Sequence, residues 1–183
     1  LHTRASFDAG TLGTSLSVDD AFRFARGEKV LSNTAQPVQL VRPLDFLAVT
    51  DHAEMLALAT MLQRGDPLLL ADPWGKSAYE RFQSGIEGRQ ALFAEMIRLG
   101  TVERREPFRN PEAARTVWKE ILATADAYNQ PGRFTTLTGF EWSSTPKGDN
   151  LHRIVLFADG ADKTSQILPF SMFDSENPED LWK

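Results

Sequence analysis

The chain has 183 residues, of which 42% are hydrophobic and 25% charged, and its formal net charge is −5. This is an ordinary globular composition with enough apolar residues for one sizeable core, so we expect a single domain over residues 1–183. The basic residues are scattered and the longest apolar run is far below membrane-spanning length, so we expect neither a nucleic-acid partner nor a membrane partner.

The chain contains no cysteine, which excludes disulfides, thiolate metal ligands and a cysteine nucleophile. The absence of cysteine fits a cytoplasmic or a periplasmic protein equally well, so the compartment stays open. Any metal site must use His, Asp and Glu side chains. There are only three histidines, His2, His52 and His152, and the functional hypothesis depends on their positions.

The first ten residues are predicted to form the end of a strand that runs into a polar loop. On an extended backbone His2, Ser6 and Asp8 would lie on one face, where a His and an Asp can share a metal site. A frayed terminus with a solvated His is the alternative. Residues 18–27 predict a short amphipathic helix, and residues 29–40 fit a small hairpin or a loop.

The central stretch is a short apolar run that ends in three polar residues. Phe46–Val49 predicts a buried strand, and Asp51 and His52 follow directly. Residues 53–63 predict a helix, with Glu54 in its first turn, where it would complement the helix dipole or lean toward a metal. Polar residues between a buried strand and a helix occupy the place where α/β folds position their chemistry.

The middle of the chain is predicted to be helical. The pairs Asp66-Pro67 and Asp72-Pro73 are expected to stop helices. Residues 77–99 predict a long helix interrupted near Gly85. Asn110 is expected to cap a further helix that begins at the following proline and buries an apolar stripe.

Two more strands are predicted near the end of the sequence. Residues 134–142 lead to Glu141, an acid between two aromatic residues that is costly to bury unless it is paired or metal-bound; an exposed edge-strand Glu is the alternative. Residues 151–157 form the next strand, with His152 at its start, and residues 175–182 predict the first turn of a helix. The order of elements indicates an α/β fold whose strands join one sheet or barrel.

Three histidines and two acids thus lie at or beside predicted strand ends. Imidazole and carboxylate ligands suit Zn, Mn or Fe, and a Glu that bridges two ions is a common feature of two-metal hydrolysis. The residues by themselves indicate a metal-dependent hydrolase.

Four segments together resemble successive motifs of a known superfamily. They are Leu1-His2-Thr3-Arg4-Ala5-Ser6-Phe7-Asp8, Val49-Thr50-Asp51-His52, Gly139-Phe140-Glu141-Trp142-Ser143 and His152-Arg153-Ile154-Val155-Leu156. In this order they resemble the polymerase and histidinol phosphatase (PHP) superfamily, and most of all a bacterial branch of it described only as a domain of unknown function. The resemblance covers nearly the whole chain. It implies a distorted (β/α)7 TIM-like barrel with two or three divalent metal ions at the C-terminal ends of the strands.

The resemblance also implies which residues would hold the ions. His2 and Glu141 would bind one ion, Glu141 and His152 a second, and Asp8 with His52 a third. Two departures from the superfamily pattern matter: a further His would fall immediately before the first residue, and later ligands would lie beyond the last one. We therefore expect an N-terminal fragment, truncated at both ends, whose uncovered sheet edge meets the remainder of its own polypeptide or an oligomer partner.

The resulting hypothesis is a metal-dependent phosphoesterase that acts on a small phosphorylated substrate. Asp51 would orient a ligand or the attacking water, and Arg153 would neutralise phosphate oxygens, with Arg4 and Lys147 as further candidates. Two alternatives remain open. One is a metal-dependent amide or ester hydrolase, and the other is a PHP-like structural or binding domain without catalysis.

Overall fold

A computed structural model describes residues 1–183 as a mixed α/β fold with eight α-helices and five strands. The helices are α1 (Phe7–Leu12), α2 (Val18–Ala25), α3 (Leu58–Arg64), α4 (Pro67–Ala71), α5 (Pro73–Gln83), α6 (Ile86–Thr101), α7 (Pro111–Tyr128) and α8 (Ala161–Thr164). The strands are β1 (Val30–Leu31), β2 (Pro37–Val38), β3 (Phe46–Ala48), β4 (Thr135–Ser144) and β5 (Leu151–Phe157). No helix combines the length and the apolar character needed to cross a bilayer.

The main sheet has three strands in the order β3-β4-β5, and β1 pairs with β2 in a separate small hairpin. Strand β3 runs parallel to β4, with Phe46 beside Thr135. Strand β5 runs antiparallel to β4, with Glu141 opposite Ile154. The predicted α/β class is therefore confirmed. The sheet is open, however, and one of its pairs is antiparallel, so a closed (β/α)7 barrel is not observed.

The two faces of this sheet have different surroundings. One face packs against α7, where Thr136 Oγ1 donates to the Ala125 carbonyl at 2.7 Å and the ring of Phe140 lies edge-on to Trp118. Because side chains alternate along a strand, Glu141 and Ile154 lie on the other face. That second face therefore presents Glu141, and it is the face that matters for the candidate site.

The predicted strand at the start of the chain is wrong. Residues 1–3 are irregular, and α1 begins at Phe7 after the N-cap residue Ser6. Helix α1 packs tightly: a Cβ on Gly10 would lie 2.1 Å from the Arg4 carbonyl oxygen. Only glycine fits there, so the chain turns back on itself directly after the first residues and does not continue as a strand.

The central stretch also differs from the prediction. The predicted strand is present as β3, which covers Phe46–Ala48, and Val49 after it is buried. The predicted burial is wrong at Phe46, which is 62% exposed on the edge strand of the sheet. The helix predicted from residue 53 begins only at Leu58. Before it, Met55 and Ala57 have φ of 53° and 81°, a left-handed conformation that is costly for residues with a side chain.

The helical middle of the chain agrees better. Helix α2 begins with a capping box in which Ser17 and Asp20 satisfy each other's backbone N–H groups. Asp66 and Asp72 cap the helices that follow them, so each Asp-Pro pair also starts a helix. The predicted cap at Asn110 is confirmed, as is the break near Gly85, which has φ of 101° between α5 and α6.

The end of the chain is close to the prediction. The predicted strand over residues 151–157 is confirmed as β5, and residues 135–144 form β4. The last element, Pro178–Trp182, is a 3₁₀ turn after the N-cap Asn177, where the sequence predicts the first turn of an α-helix. These elements bring His52 beside Glu141 and place His152 on the strand next to it.

Candidate metal centre

The first three residues lie along the segment that follows β3. The Thr50 N–H donates to the Leu1 carbonyl at 3.0 Å. The carboxylate of Asp51 accepts from the backbone N–H of Thr3 at 2.5 Å and from its hydroxyl at 2.8 Å. These bonds fix the backbone on both sides of His2, so its ring lies beside the end of β3.

The backbone of His52 pairs with that of Glu141 in an isolated parallel bridge. The Ala53 N–H donates to the Glu141 carbonyl at 2.8 Å, and the Glu141 N–H donates to the Asp51 carbonyl at 3.1 Å. In addition, the His52 N–H donates to the hydroxyl of Ser6 at 3.1 Å. The two functional side chains therefore project from neighbouring, mutually hydrogen-bonded segments.

The five side chains expected to bind metal form one cluster. Glu141 contacts His2 through Oε2, at 2.8 Å from Nε2, and His152 through Oε1. Asp8 Oδ2 lies 2.9 Å from His2 Nδ1 and 3.6 Å from His52 Nε2. Each of the three residue pairs implied by the PHP resemblance is thus a direct contact, although 139 residues separate His2 from Glu141.

The charges of the cluster are mutually dependent. The hydrogen bond to Asp8 raises the pKa of His2. Burial alone would lower the pKa of His52, but hydrogen bonds to Asp8 and Glu54 raise it to about 9. Burial acts against the ionised acids, yet hydrogen bonds from the histidines hold the pKa of Asp8 and of Glu141 below their usual values. The arrangement therefore favours protonated imidazole next to carboxylate. A metal cation would take the place of the imidazole protons.

The comparisons with known proteins identify a family. The model of the family described as "Protein of unknown function (DUF3604)" matches residues 1–183. The chain belongs to this family. Searches of curated proteins and of solved structures found no match.

The donor set of this DUF3604 chain fits a divalent metal. Two atoms that each lie about 2.1 Å from one ion can be at most about 4.2 Å apart. The contacts of Asp8 and Glu141 with His2 and His52 span 2.8 to 4.0 Å. The potential ligand atoms of His2, Asp8 and His52 all lie within 4.8 Å of one another. Small side-chain movements would let these atoms share an ion, and neutral imidazole with carboxylate suits Zn, Mn or Fe.

Two residues of the site were not assigned to it from the sequence. Glu54 is buried, not in a helix, and its Oε2 lies 3.2 Å from His52 Nδ1. Its Oε1 accepts the backbone N–H groups of Ser143 and Met172 at 3.2 and 3.0 Å. The Ser143 hydroxyl lies between the rings of His52 and His152, 3.3 and 3.1 Å from their Nδ1 atoms.

A signal for Ser143 existed in the sequence. Ser143 follows Glu141 by two residues in the same strand, so the strand period places both side chains on one face. For Glu54 the sequence left a helix-dipole role and a position toward a metal both open. It could not decide between them, because the position of Glu54 depends on the left-handed turn before α3, which the apolar pattern of residues 53–63 does not predict.

The predicted catalytic residues Asp51 and Arg153 are not part of the cluster. Asp51 is buried, burial raises its pKa, and its carboxylate binds Thr3 and none of the histidine rings. Arg153 is exposed, lies opposite Trp142 on the other face of the sheet, and donates to the His152 carbonyl at 2.9 Å. The further phosphate-binding candidates, Arg4 and Lys147, are exposed and line no cavity shared with the histidines.

Proposed function

We propose that the cluster is the metal centre of a metal-dependent hydrolase, and that its reaction is the hydrolysis of a phosphoester. One observation supports this most directly: the two carboxylate oxygens of Glu141 contact different histidines, His2 and His152, as a bridging ligand between two ions requires. The pair Asp8 and His52 beside it would hold a third ion. The order of the four PHP-like motifs supports the same reaction class.

When bound, two or three Zn, Mn or Fe ions would lower the pKa of a water molecule and polarise a phosphoryl oxygen. The side chains of the chain itself set the orientation of the ligands. Glu54 is placed to accept a hydrogen bond from His52 Nδ1, and this leaves the Nε2 lone pair directed toward Asp8. Ser143 is placed to hydrogen-bond both His52 and His152, so it limits the rotation of both rings.

Asp51 does not contact the histidine rings and supports the site through the backbone. Its two hydrogen bonds to Thr3 fix the segment that includes His2, and its own carbonyl accepts the Glu141 N–H. We therefore assign Asp51 as a positioning residue and give no role in the reaction to Arg153, whose side chain is on the far face of the sheet.

The experiment is hydrolysis of p-nitrophenyl phosphate by the purified chain with added Mn²⁺ or Zn²⁺. We expect metal-dependent activity that His52→Ala and Asp8→Asn each abolish. The matched control is Asp162→Asn, which changes an exposed acid outside the cluster. Activity that is equal in the His52→Ala and Asp162→Asn variants would refute the assignment.

A second reaction is supported by one observation. No lysine or arginine lines the cavity beside the cluster, and an uncharged carboxylic ester or amide needs no such side chain. A panel with p-nitrophenyl acetate and an anilide beside the phosphoester separates the two reactions. If the chain neither binds metal nor hydrolyses any of these substrates, only the non-catalytic alternative remains.

We also propose that the sheet is part of a PHP-type barrel, with the Glu141 face as its interior. The parallel pairing of β3 with β4 supports this. So do three apolar side chains on β3 and β5, Phe46, Ile154 and Leu156, which are 62%, 52% and 48% exposed. Further strands, from the same polypeptide or from an oligomer partner, would cover them.

A further inference from the structure

A cavity of about 230 Å³ opens beside the metal-binding cluster. Asp8, His52, Glu54 and His152 lie along one side of it. Four larger grooves on the surface, of about 410, 320, 300 and 260 Å³, contain none of the five cluster residues. A ligand bound at the cluster would therefore extend into this cavity.

Most of the remaining wall is apolar, and four uncharged polar residues, Thr101, Ser143, Thr145 and Asn150, complete it. The apolar part is formed by residues of α6, of the left-handed turn before α3, and of the segment after α8, namely Phe93, Met96, Ile97, Met55, Met172 and Phe173. No lysine or arginine is among the lining residues. Such a wall desolvates an uncharged group at little cost, whereas a second anionic group inside it would have no positive partner.

Gly100 keeps part of this space open. It is buried within α6, where glycine is about 1 kcal/mol less favourable than alanine. A Cβ built there would lie 3.6 Å from Met55 Cε and 3.7 Å from Phe173 Cζ, an ordinary contact distance. The backbone at this position does not require glycine. The absence of a side chain on Gly100 therefore leaves an open space between Met55 and Phe173.

We propose that this cavity binds an uncharged aromatic or short alkyl substituent of the substrate, so that the substrate class is an aryl or alkyl phosphoester. This inference rests on the proposed function. The volume, below the roughly 300–1,000 Å³ of pockets for drug-sized ligands, suits a single ring. Gly100 is then a specificity-determining residue, because any larger side chain there occupies the space of the substituent.

The test compares two stable phosphonates on the Mn²⁺-loaded chain by titration calorimetry. Benzylphosphonate places a ring in the cavity, and methylphosphonate does not. We expect benzylphosphonate to bind at least about tenfold more tightly, from the apolar area that the ring buries. Gly100→Leu is expected to reduce this ratio to within about twofold, while Ala94→Leu, on the exposed side of the same helix, retains it.

A second pair of variants covers the case that Gly100→Leu does not fold. Ile97→Ala shortens a partly exposed wall residue and is expected to lower the ratio several-fold. Ile86→Ala makes the same change on α6 outside the cavity and leaves the ratio unchanged. Equal binding of the two phosphonates, or equal ratios in the Ile97 and Ile86 variants, would overturn the apolar pocket and leave the metal-dependent phosphoesterase standing.

Benzyl alcohol, which has the ring without the phosphonate, separates the two proposals. If neither phosphonate binds but benzyl alcohol does, and Gly100→Leu or Ile97→Ala removes that binding, the apolar pocket is supported and the phosphoester substrate is overturned. If none of the three compounds binds, both the pocket and its phosphoester ligand are overturned.

Discussion

Glu141 contacts His2 through one carboxylate oxygen and His152 through the other. The first contact closes a loop of 139 residues and the second spans a hairpin. A single side chain thus links the start of the chain to the sheet, so we expect its substitution to affect both the fold and the proposed metal binding.

Glu141→Gln removes the charge and one of the two acceptor oxygens while preserving the size of the side chain. We expect the affinity for Mn²⁺ to fall at least about 100-fold, since even residues that only support a metal ligand typically account for 10–100-fold. Titration calorimetry measures the change. The control is Glu112→Gln, at the exposed start of α7. Unchanged affinity in the Glu141 variant would exclude it as a ligand.

Metal binding is expected to weaken in acid. In the metal-free chain Asp8 raises the pKa of His2, and Asp8 and Glu54 raise that of His52 to about 9 despite burial. The His52 ring is therefore protonated near neutral pH and must lose its proton to bind a metal, and the raised pKa of His2 acts in the same direction. The Mn²⁺ affinity should therefore fall about tenfold per pH unit for each proton displaced, below the pKa of that ring.

The raised pKa of His52 makes the metal-free fold less stable as the pH rises, the opposite of its effect on metal binding. A folded-state pKa of about 9 for His52, above its ordinary value of 6.5, stabilises the fold below about pH 6.5 and loses this contribution as the pH rises through 9. The melting temperature without metal should therefore fall over that interval, while the increase on adding Mn²⁺ should grow. If Mn²⁺ raises the melting temperature by the same amount at pH 6.5 and at pH 9, the metal does not displace a proton from His52.

Asp51 is expected to stabilise the fold by holding the first residues in place. Thr3→Val preserves the shape and removes the hydroxyl that donates to Asp51 at 2.8 Å, so a buried acceptor loses a partner. We expect a loss of about 1–3 kcal/mol in the free energy of unfolding, measured in urea. Thr116→Val, at an exposed position of α7, should stay within about 0.5 kcal/mol of the parent. Similar values for the two variants would show that the hydroxyl contact between Thr3 and Asp51 does not stabilise this segment.

Local signals in the sequence predicted the elements whose ends are set by capping and by apolar period. Helix α7 follows Asn110 and Pro111 as expected, and β5 covers the predicted residues 151–157. The meeting of His52 and Glu141 follows the predicted logic only in part: His52 comes after the end of β3, as expected, but Glu141 lies within β4, which continues to Ser144.

Tertiary contacts decided what the sequence did not predict. The turn at Met55 and Ala57 is strained, and the Ser143 and Met172 N–H groups that bind Glu54 come from distant segments. No local pattern in residues 53–57 reports those partners. The first ten residues show the same limit, because the extended pattern of His2, Ser6 and Asp8 is overridden by the packing of α1 around Gly10.

The exposed face of the sheet is expected to bind an apolar dye. Ile154 and Leu156 lie on the Glu141 side and are about half exposed, and exposed apolar patches of this kind mark surfaces that contact other groups. Replacing both with Thr should lower bis-ANS fluorescence at least about twofold. The control is Ile86→Thr, a similarly exposed apolar residue on α6. Equal dye signals in the parent and the double variant would count against an uncovered barrel interior.

Glu106 is a largely buried acid outside the candidate metal centre, with 15% of its side chain exposed, and we expect its burial to make the fold sensitive to pH. Burial raises the pKa of Glu106 to about 7, and Arg109, with Nε 3.7 Å from the carboxylate, offsets this only in part while Asp174 adds to it. Because the folded-state pKa lies above the ordinary value of 4.5, the stabilising contribution of the neutral acid is complete below about pH 4.5 and is lost as the pH rises through 7.

Glu106→Gln replaces this acid with a neutral side chain of the same size, so it should remove that loss. We expect the variant to match the parent near pH 4.5 and to be more stable at about pH 8, by up to roughly 3 kcal/mol in the free energy of unfolding. Urea unfolding at several pH values measures the difference. Glu80→Gln, an exposed change on α5, should show no such trend. A stability difference for Glu106→Gln that is constant with pH would mean that the carboxyl ionises normally, and that burial does not control its charge.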